Sequence, residues 1–261
     1  MIGTDNVCDF GRQNFSTCIG YNNGTYAYFT TAIGNYTKAS SEYQMVLGKY
    51  NINDSASAYN FIIGNGADNN NRTNGLTIDA SGNVAIQGTV SSAGADYAEY
   101  FEWLDGNTEA EDRVGLLVQL NGDKIELATG TDILGVVSGT ATVLGDDAEW
   151  TWQGRYLKDD FGRLIMEEIE LYDEEGKFVC STLTPKVNPD YDPNKPYINR
   201  ANRPEWDAIG MMGKLFVRDD GSAVVNGYVS AVNGIATASS EKTNMRVMER
   251  ISENIIRVCL K

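Results

Sequence analysis

An apolar residue followed by glycine recurs along the first quarter of the chain. The pairs are Ile19-Gly20, Ile33-Gly34, Leu47-Gly48 and Ile63-Gly64, so their glycines lie 14, 14 and 16 residues apart. This period predicts stacked coils, each with two short strands and two turns. The apolar residue is expected to point inward, and glycine to take a tight or positive-φ position. One coil buries too little surface to fold alone, so the stack must continue, be capped or associate with further copies.

The alternation of apolar and polar residues predicts a hairpin in residues 76–90. Leu76 and Ile78 precede the turn-forming sequence ASGN, and Val84 and Ile86 follow it. The segment is either an ordinary surface hairpin or part of a shaft in which three chains wrap around one axis. The sequence of this segment alone favours neither interpretation.

The repeats stop near Ala93, where charged and aromatic residues become frequent, and this change predicts a domain boundary within residues 90–96. Beyond it, hairpins are predicted in residues 115–129, 132–145, 214–232 and 244–261. The last of these segments also fits a helix by propensity, but an Asn-containing turn and β-branched residues favour strands. Residues 185–206 are rich in proline and predict a long irregular excursion. It is either a surface loop, which we favour, or an arm that reaches a neighbouring subunit.

The charge balance excludes several classes of function. Lys and Arg number 21 and Asp and Glu 36, which gives a net charge of −15. An acidic surface of this kind argues against nucleic-acid binding and against contact with an anionic membrane. There is no apolar run of 18 residues and no signal-peptide pattern at the N-terminus, so a soluble protein without membrane insertion is expected. The chain has no histidine, which excludes every His-based triad, dyad and metal centre.

No cofactor or metal site is predicted. The four cysteines are Cys8, Cys18, Cys180 and Cys259; they lie far apart and form no CxxC pair, so reduced thiols are expected instead of a zinc site. The chain also lacks a GxxxxGK[ST] loop, and nucleotide binding is therefore not supported. Any catalysis must use carboxylates, hydroxyls, amines, thiols or backbone groups.

The sharpest chemical feature is the sequence GADYAEYFEW at residues 94–103, which places Asp96, Glu99 and Glu102 at three-residue spacing among aromatic residues. In a helical turn these carboxyls would share one face. In a strand Asp96 and Glu99 would point to opposite faces, so that one could meet its counterpart only on another chain. Carboxyls crowded beside aromatic surface can serve as proton donors near neutral pH. On spacing alone, the simpler interpretation is an acidic amphipathic helix start at a domain junction.

The repeats over residues 15–65 resemble the head repeats of trimeric autotransporter adhesins and the β-rolls of phage fibres, and residues 76–90 are similar to fibre shafts. The resemblance implies a homotrimer. The tyrosines of the repeats could bind a glycan or protein on a host surface, but packing between coils is the interpretation that we favour. These tyrosines are Tyr21, Tyr26, Tyr28, Tyr36 and Tyr43.

The remainder of the chain, about residues 94–261, resembles the G2 family of self-cleaving peptidases, the intramolecular chaperone domains of phage pre-neck appendage and tail-spike proteins. The segments that carry the resemblance are GADYAEYFEW at 94–103, the stretch from EDRVGLL to FGRLI at 111–165, NPDYDP at 188–193, RPEWDAIGMMGKLFVRDDG at 203–221 and GIATAS at 234–239. The resemblance implies a domain that trimerises the spike and helps its β-stalk to acquire register. The domain then hydrolyses one peptide bond ahead of the aspartate of a D-x-x-E motif, with neighbouring subunits cooperating.

Carried over by position, this resemblance makes Asp96 and Glu99 the catalytic residues and Ala95–Asp96 the scissile bond. Some family members have serine before the aspartate, but Ala95 has no hydroxyl for an N→O acyl shift. Direct attack by water is therefore favoured, with one carboxylate as base and another acid protonating the leaving amine. Ser91 and Ser92 are the fallback nucleophiles.

Together these observations predict a mainly β protein: a trimeric β-roll stalk at 1–75, a hairpin or shaft at 76–93 and an autoproteolytic chaperone domain at 94–261. It is expected to be the C-terminal part of a phage tail fibre or spike, assembled in the host cytoplasm and carried in the virion tail. The released domain would remain in the host cytoplasm. Glu102 and Ser92 are accessory candidates at the cleavage site. The alternative is a non-cleaving trimerisation cap on a fibre tip that binds a host-surface glycan or protein.

Overall fold

The fold, taken from a computed structural model, is almost entirely β. The structure describes residues 2–8, 15–147 and 154–261, without the side chains of residues 179 and 180. The predicted mainly β class is confirmed. The chain divides into two compact units, Met1–Ser91 and Ser92–Lys261. No helix in the described residues is long and apolar enough to cross a membrane.

The first unit is a stack of coils with two sheets. One sheet has the order β1-β3-β5-β7-β8-β9-β10, parallel up to β8 and antiparallel beyond, and the other has the parallel order β2-β4-β6. The strands are β1 (Ile2–Thr4), β2 (Val7–Cys8), β3 (Thr17–Tyr21), β4 (Gly24–Thr25), β5 (Thr31–Asn35), β6 (Lys38–Ala39), β7 (Met45–Lys49), β8 (Tyr59–Asn65), β9 (Asn74–Asp79) and β10 (Val84–Ile86).

The apolar-glycine pairs lie in register on successive coils, which confirms the predicted repeat. Ile19 pairs with Ile33, and Leu47 pairs with Ile63, so like residues stack on like residues along the sheet. The structure shows one further copy of the repeat, Ile2-Gly3, which pairs with Ile19-Gly20. This copy was not predicted, because the distance from Gly3 to Gly20 departs from the 14-residue period.

The expected inward orientation of the apolar residue is wrong. The fully buried position is the one before it, occupied by Cys18, Ala32, Val46 and Ile62. Side chains alternate across a strand, so burying that position turns the isoleucine and leucine ladder toward the outer face. Ile63 is 37% exposed and Ile2 is 68% exposed. The core between the two narrow sheets has room for small and medium side chains.

The expected role of glycine is confirmed at Gly20 and Gly34, whose φ angles are +119° and +137°. A Cβ at either position would overlap the carbonyl oxygen of the glycine in the next coil. Glycine is therefore required for the close approach of successive coils.

Buried asparagines connect one coil to the next through backbone groups. Asn23 is 1% exposed, and its amide nitrogen donates to Ile19 O at 3.0 Å and Gly34 O at 2.9 Å. Its Oδ1 accepts from the Thr37 backbone N at 3.0 Å and the Thr37 hydroxyl at 2.7 Å. Each of these bonds satisfies a polar group that the stack removes from water.

Asn23→Ala is expected to lower the free energy of unfolding by about 2–4 kcal/mol, because it leaves several buried backbone groups without partners. The measurement is urea unfolding of the full chain followed by circular dichroism. Asn70→Ala is the control, because Asn70 is exposed and its backbone N–H, which the substitution keeps, donates to Asp68 Oδ1. Equal midpoints for the two variants would contradict this role for Asn23.

Aromatic rings form ladders along the coils. Phe15, Phe29 and Tyr43 stack with centroid distances of 5.5 and 5.2 Å, and Tyr36 stacks on Tyr50 at 4.8 Å. Rings in this arrangement cover each other's faces, which supports packing between coils as the main role of these side chains.

The second unit is built on one long strand. Its main sheet has the order β13-β12-β14-β18-β22-β21-β19-β20, β11 pairs with both β15 and β18, and β16 with β17 forms a separate hairpin. The strands are β11 (Asp96–Glu102), β12 (Leu117–Asn121), β13 (Lys124–Leu127), β14 (Gly135–Val137), β15 (Ala141–Gly145), β16 (Met166–Tyr172), β17 (Phe178–Pro185), β18 (Trp206–Arg218), β19 (Tyr228–Val232), β20 (Ile235–Ser239), β21 (Met245–Ser252) and β22 (Ile255–Leu260), with a short 3-10 helix at Arg200–Asn202.

The structure confirms three predicted hairpins and corrects two. The hairpins in 76–90, 115–129 and 244–261 are present as β9–β10, β12–β13 and β21–β22. The hairpins predicted in 132–145 and 214–232 are wrong: β14 pairs with β12 and β18, β15 pairs with β11, and the end of β18 pairs with β22. Period-two alternation identifies a strand but does not select its partner. The segment between β17 and β18 is irregular apart from its 3-10 turn, as predicted.

Candidate active site

The acidic decapeptide forms strand β11, not the start of a helix. β11 is antiparallel to β18 over its whole length and parallel to β15 at its beginning. The aromatic residues Tyr97, Tyr100 and Phe101 suit an extended strand that is paired on both sides. The helical interpretation drawn from the spacing of the acids is therefore wrong.

Asp96 and Glu99 lie on opposite faces of β11. Asp96 is 3% exposed and shares its face with the buried Ala98 and Tyr100. Glu99 is half-buried and accepts a hydrogen bond from the hydroxyl of Tyr97, which lies on the same face. Because successive side chains alternate across a strand, the carboxyls of Asp96 and Glu99 in one chain do not meet.

The Asp96 carboxyl is buried with incomplete hydrogen bonding. The Thr140 hydroxyl lies 3.4 Å from its Oδ1, and its Oδ2 has no partner among the described residues. A buried carboxyl oxygen without a donor is costly, and Asp147 Oδ1 is the other carboxyl oxygen in this state among the described residues. Asp96 thus offers an unused polar atom beside the Ala95–Asp96 bond.

Two glycines of β18 make room for the Ala95–Asp96 dipeptide. Gly213 has a φ of +119°, and a Cβ there would overlap Ala95 O and lie 2.8 Å from Asp96 Cα. A Cβ on Gly210 would lie 2.8 Å from Asp96 Oδ2. Both glycines are required for the close approach of β18 to this dipeptide.

The carbonyl of Ala95 accepts a hydrogen bond from the backbone N–H of Lys214, with an N to O distance of 3.1 Å. This donor polarises the carbonyl of the bond that the sequence analysis selects. Gly210, Gly213 and Lys214 were not predicted from the sequence. The two glycines that interrupt an otherwise apolar strand were the available signal.

The two accessory candidates, Glu102 and Ser92, have different surroundings from those of Asp96 and Glu99. Glu102 forms an ion pair with Lys124, 2.7 Å from Oε1 to Nζ, at the opposite end of β11 from Asp96. Glu102 is six positions beyond Asp96, which is about 20 Å along an extended strand, so one chain does not bring Glu102 to its own Ala95–Asp96 bond. Ser92 is exposed, and its hydroxyl accepts from the Gly94 N–H at 3.3 Å.

The far end of β11 is anchored by Trp103. Its indole N–H donates to Asp207 Oδ2 at 2.8 Å, and the guanidinium of Arg113 lies 4.3 Å from its ring centroid. Burial raises the pKa of the Asp207 carboxyl, and the Trp103 hydrogen bond opposes this shift. These contacts fix β11 against β18 and hence fix the register of the dipeptide at its beginning.

The described part of the chain has no group of three or more Cys, Asp or Glu side chains that could hold a metal ion. Around the Ala95–Asp96 bond the structure places a hydrogen-bonded backbone carbonyl and one buried carboxyl, that of Asp96.

The chain is similar to several phage and phage-related proteins. It is 38% identical over 202 residues to the pre-neck appendage protein of Bacillus phage B103, covering 76% of this chain and 21% of that protein. It is 39% identical over 161 residues to the pre-neck appendage protein of Bacillus phage phi29, covering 60% of this chain and 18% of that protein. It is 37% identical over 163 residues to the putative phage-related protein YobO of Bacillus subtilis strain 168, covering 61% of this chain and 19% of that protein. The chain spans about a fifth of the length of these relatives.

Two solved structures share the fold. The pre-mature bacteriophage phi29 gene product 12 aligns with 95% of this chain and 32% of its own, at a TM-score of 0.75 and 28% identity. The C-terminal fragment of phi29 gene product 12 aligns over 64% of this chain and 100% of its own, at a TM-score of 0.51 and 36% identity. Peptidase_G2, the IMC autoproteolytic cleavage domain, matches residues 43–254. With most of its length matched, the chain belongs to the Peptidase_G2 family of self-cleaving domains.

Proposed function

We propose that this chain is part of a phage tail fibre or spike whose second unit drives trimerisation and then cuts the chain at Ala95–Asp96. Assembly takes place in the host cytoplasm, where the released unit remains, and the stalk is carried in the virion tail. The observation that carries the proposal is the environment of the Ala95–Asp96 bond. Its carbonyl is polarised by Lys214 N–H, and it adjoins a buried carboxyl with an unpartnered oxygen.

The outer face of the coils supports a trimer. Its isoleucine and leucine ladder is partly exposed in one chain, and Ile2 and Ile63 are the most exposed members. A continuous apolar ladder on a regular sheet favours association, and identical copies provide a matching surface. We propose that two further copies of the chain cover this ladder in the stalk.

Water attacks the carbonyl carbon of Ala95 in the proposed reaction. One carboxylate takes the proton of the water while a C–O bond forms, and the N–H of Lys214 stabilises the developing oxyanion. An acid then protonates the nitrogen of Asp96 as the C–N bond breaks. The products are a carboxylate at Ala95 and a new N-terminal amine at Asp96. No acyl shift to a residue 95 side chain is available, and Ser91 and Ser92 remain the fallback nucleophiles.

Asp96 and Glu99 act as the carboxyl pair across a subunit boundary in this proposal. Their positions on opposite faces of β11 prevent them from meeting within one chain. The pair forms when Glu99 of a neighbouring copy approaches Asp96, so cleavage follows assembly. A domain that trimerises first also raises the effective concentration of the stalk strands and limits register slips.

Expression of the full chain followed by denaturing electrophoresis tests the proposal. We expect two fragments, residues 1–95 and 96–261, and the second should begin with the sequence DYAE on N-terminal sequencing. An intact trimer would support the alternative, a non-cleaving trimerisation cap. A stable monomer would contradict both functions.

A further inference from the structure

Tyr97 and Glu99 form a side-chain pair on the face of β11 opposite Asp96. The hydroxyl of Tyr97 donates a hydrogen bond to Oε1 of Glu99. Both side chains lie over Gly145 of β15, which pairs with Glu99. A Cβ on Gly145 would lie 2.9 Å from Glu99 Cγ and from the Tyr97 hydroxyl oxygen. The pair therefore occupies space that the glycine leaves open.

The neighbouring elements bring few charges to this pair. β15 has no ionisable residue, and Asp146, which follows it, is ion-paired with Arg200 at 2.6 Å. Asp147 is the next acid along the chain, and on β18 the ionisable residues nearest in register are Asp207 and Lys214. Hydrogen bonding to Glu99, partial desolvation and the negative charge of Glu99 raise the pKa of the Tyr97 hydroxyl. Tyr97 consequently remains a neutral donor over the physiological pH range.

We infer that Tyr97 is the positioning residue for Glu99, an inference that rests on the proposed cleavage at Ala95–Asp96. Its hydroxyl holds the Glu99 side chain in one rotamer. Tyr97 itself lies outside the reacting atoms and acts through Glu99. A preorganised carboxylate reacts faster than one that must be ordered in each event.

Tyr97→Phe keeps the ring and removes the donor. We expect self-cleavage about tenfold slower. In a Glu99→Gln background the same substitution should cause no further slowing, because the Tyr97 hydroxyl acts only through the Glu99 carboxyl. The measurement is refolding of the full chain by dilution from denaturant, quenched at intervals for electrophoresis.

The matched control is Tyr172→Phe. Tyr172 donates to Glu170 two residues away on β16, in the same Tyr–Glu arrangement but on an exposed hairpin. We expect this variant to cleave at the wild-type rate. Substitution of fluorotyrosine at position 97 by stop-codon suppression adds a test that preserves the fold. The fluorinated phenol keeps the hydroxyl donor, so cleavage at about the wild-type rate is expected.

The outcomes separate the inference from the proposed function. If Glu99→Gln slows cleavage but Tyr97→Phe cleaves at the wild-type rate, or slows the Glu99→Gln background as much as the wild type, the positioning role is overturned and the proposed function stands. If Glu99→Gln cleaves at the wild-type rate, the proposed catalytic assignment fails and the inference fails with it. Slow cleavage with phenylalanine together with wild-type cleavage with fluorotyrosine supports the positioning role.

Discussion

Glu99→Gln is expected to accumulate as an uncut, full-length trimer, with self-cleavage slowed by at least about 10²-fold. The substitution is nearly isosteric and keeps an acceptor for the Tyr97 hydroxyl, but an amide cannot carry a proton between water and the leaving amine. General acid–base groups typically contribute about 10²–10⁴-fold to the rates of such reactions. Electrophoresis measures cleavage, and size-exclusion chromatography with light scattering measures the oligomeric state.

Glu102→Gln is the control for Glu99→Gln. Glu102 lies on the same strand but is ion-paired with Lys124, away from the Ala95–Asp96 bond. We expect this variant to cleave as the wild type does. Normal cleavage by Glu99→Gln would remove Glu99 from the catalytic assignment, whatever the behaviour of the control.

Mixed trimers test whether Glu99 acts across subunits. A tagged Glu99→Gln chain coexpressed with an excess of wild type should itself be cut, because its bond meets Glu99 of a wild-type neighbour. A wild-type chain whose neighbour is the variant should stay intact. If instead every wild-type chain is cut and every Glu99→Gln chain stays intact, the Glu99 carboxyl acts within its own chain.

Gly213→Ala is expected to slow self-cleavage by about 10²-fold or more. A Cβ at this position overlaps the carbonyl oxygen of Ala95, so β18 must move away and the Lys214 N–H no longer polarises that carbonyl. Displacements of about 1 Å at a reacting centre commonly cost 10²-fold in rate, and loss of one oxyanion donor costs about as much. The rate is measured by refolding and quenching.

Gly221→Ala is the matched control. Gly221 also has a positive φ, +92°, but the nearest atom to its Cβ would be Glu253 O at 3.9 Å. Both variants therefore introduce backbone strain, and Gly213→Ala alone introduces the overlap with Ala95. If both variants form trimers and cleave at the same rate, the close approach of β18 to the dipeptide has no part in catalysis.

Much of the fold of the first unit was predictable from the local sequence pattern. The spacing of Gly20, Gly34 and Gly48 predicted the coil length and the in-register stack, because each coil repeats one local conformation. The pattern did not reveal which side chain enters the core. Cys18 and Val46 are buried while the neighbouring apolar residue faces outward, and that choice depends on the narrow gap between two sheets.

In the second unit, short hairpins were predictable where a turn sequence joins two adjacent strands, as at β12–β13 and β21–β22. The pairing of β18 was not predictable, because its partners β11, β14 and β22 are distant in sequence and are selected by packing. Non-local strand pairing depends on the whole arrangement of loops and core residues.

The sequence by itself determined the repeat period, the absence of histidine chemistry and the position of the D-x-x-E residues, Asp96 and Glu99. The tertiary structure alone decided that these carboxyls lie on opposite faces of a strand and that Gly213 and Lys214 meet Ala95. The physical reason is distance along the chain. Residues 95 and 214 become neighbours through a strand pairing that no local pattern encodes, whereas period and motif are properties of adjacent residues.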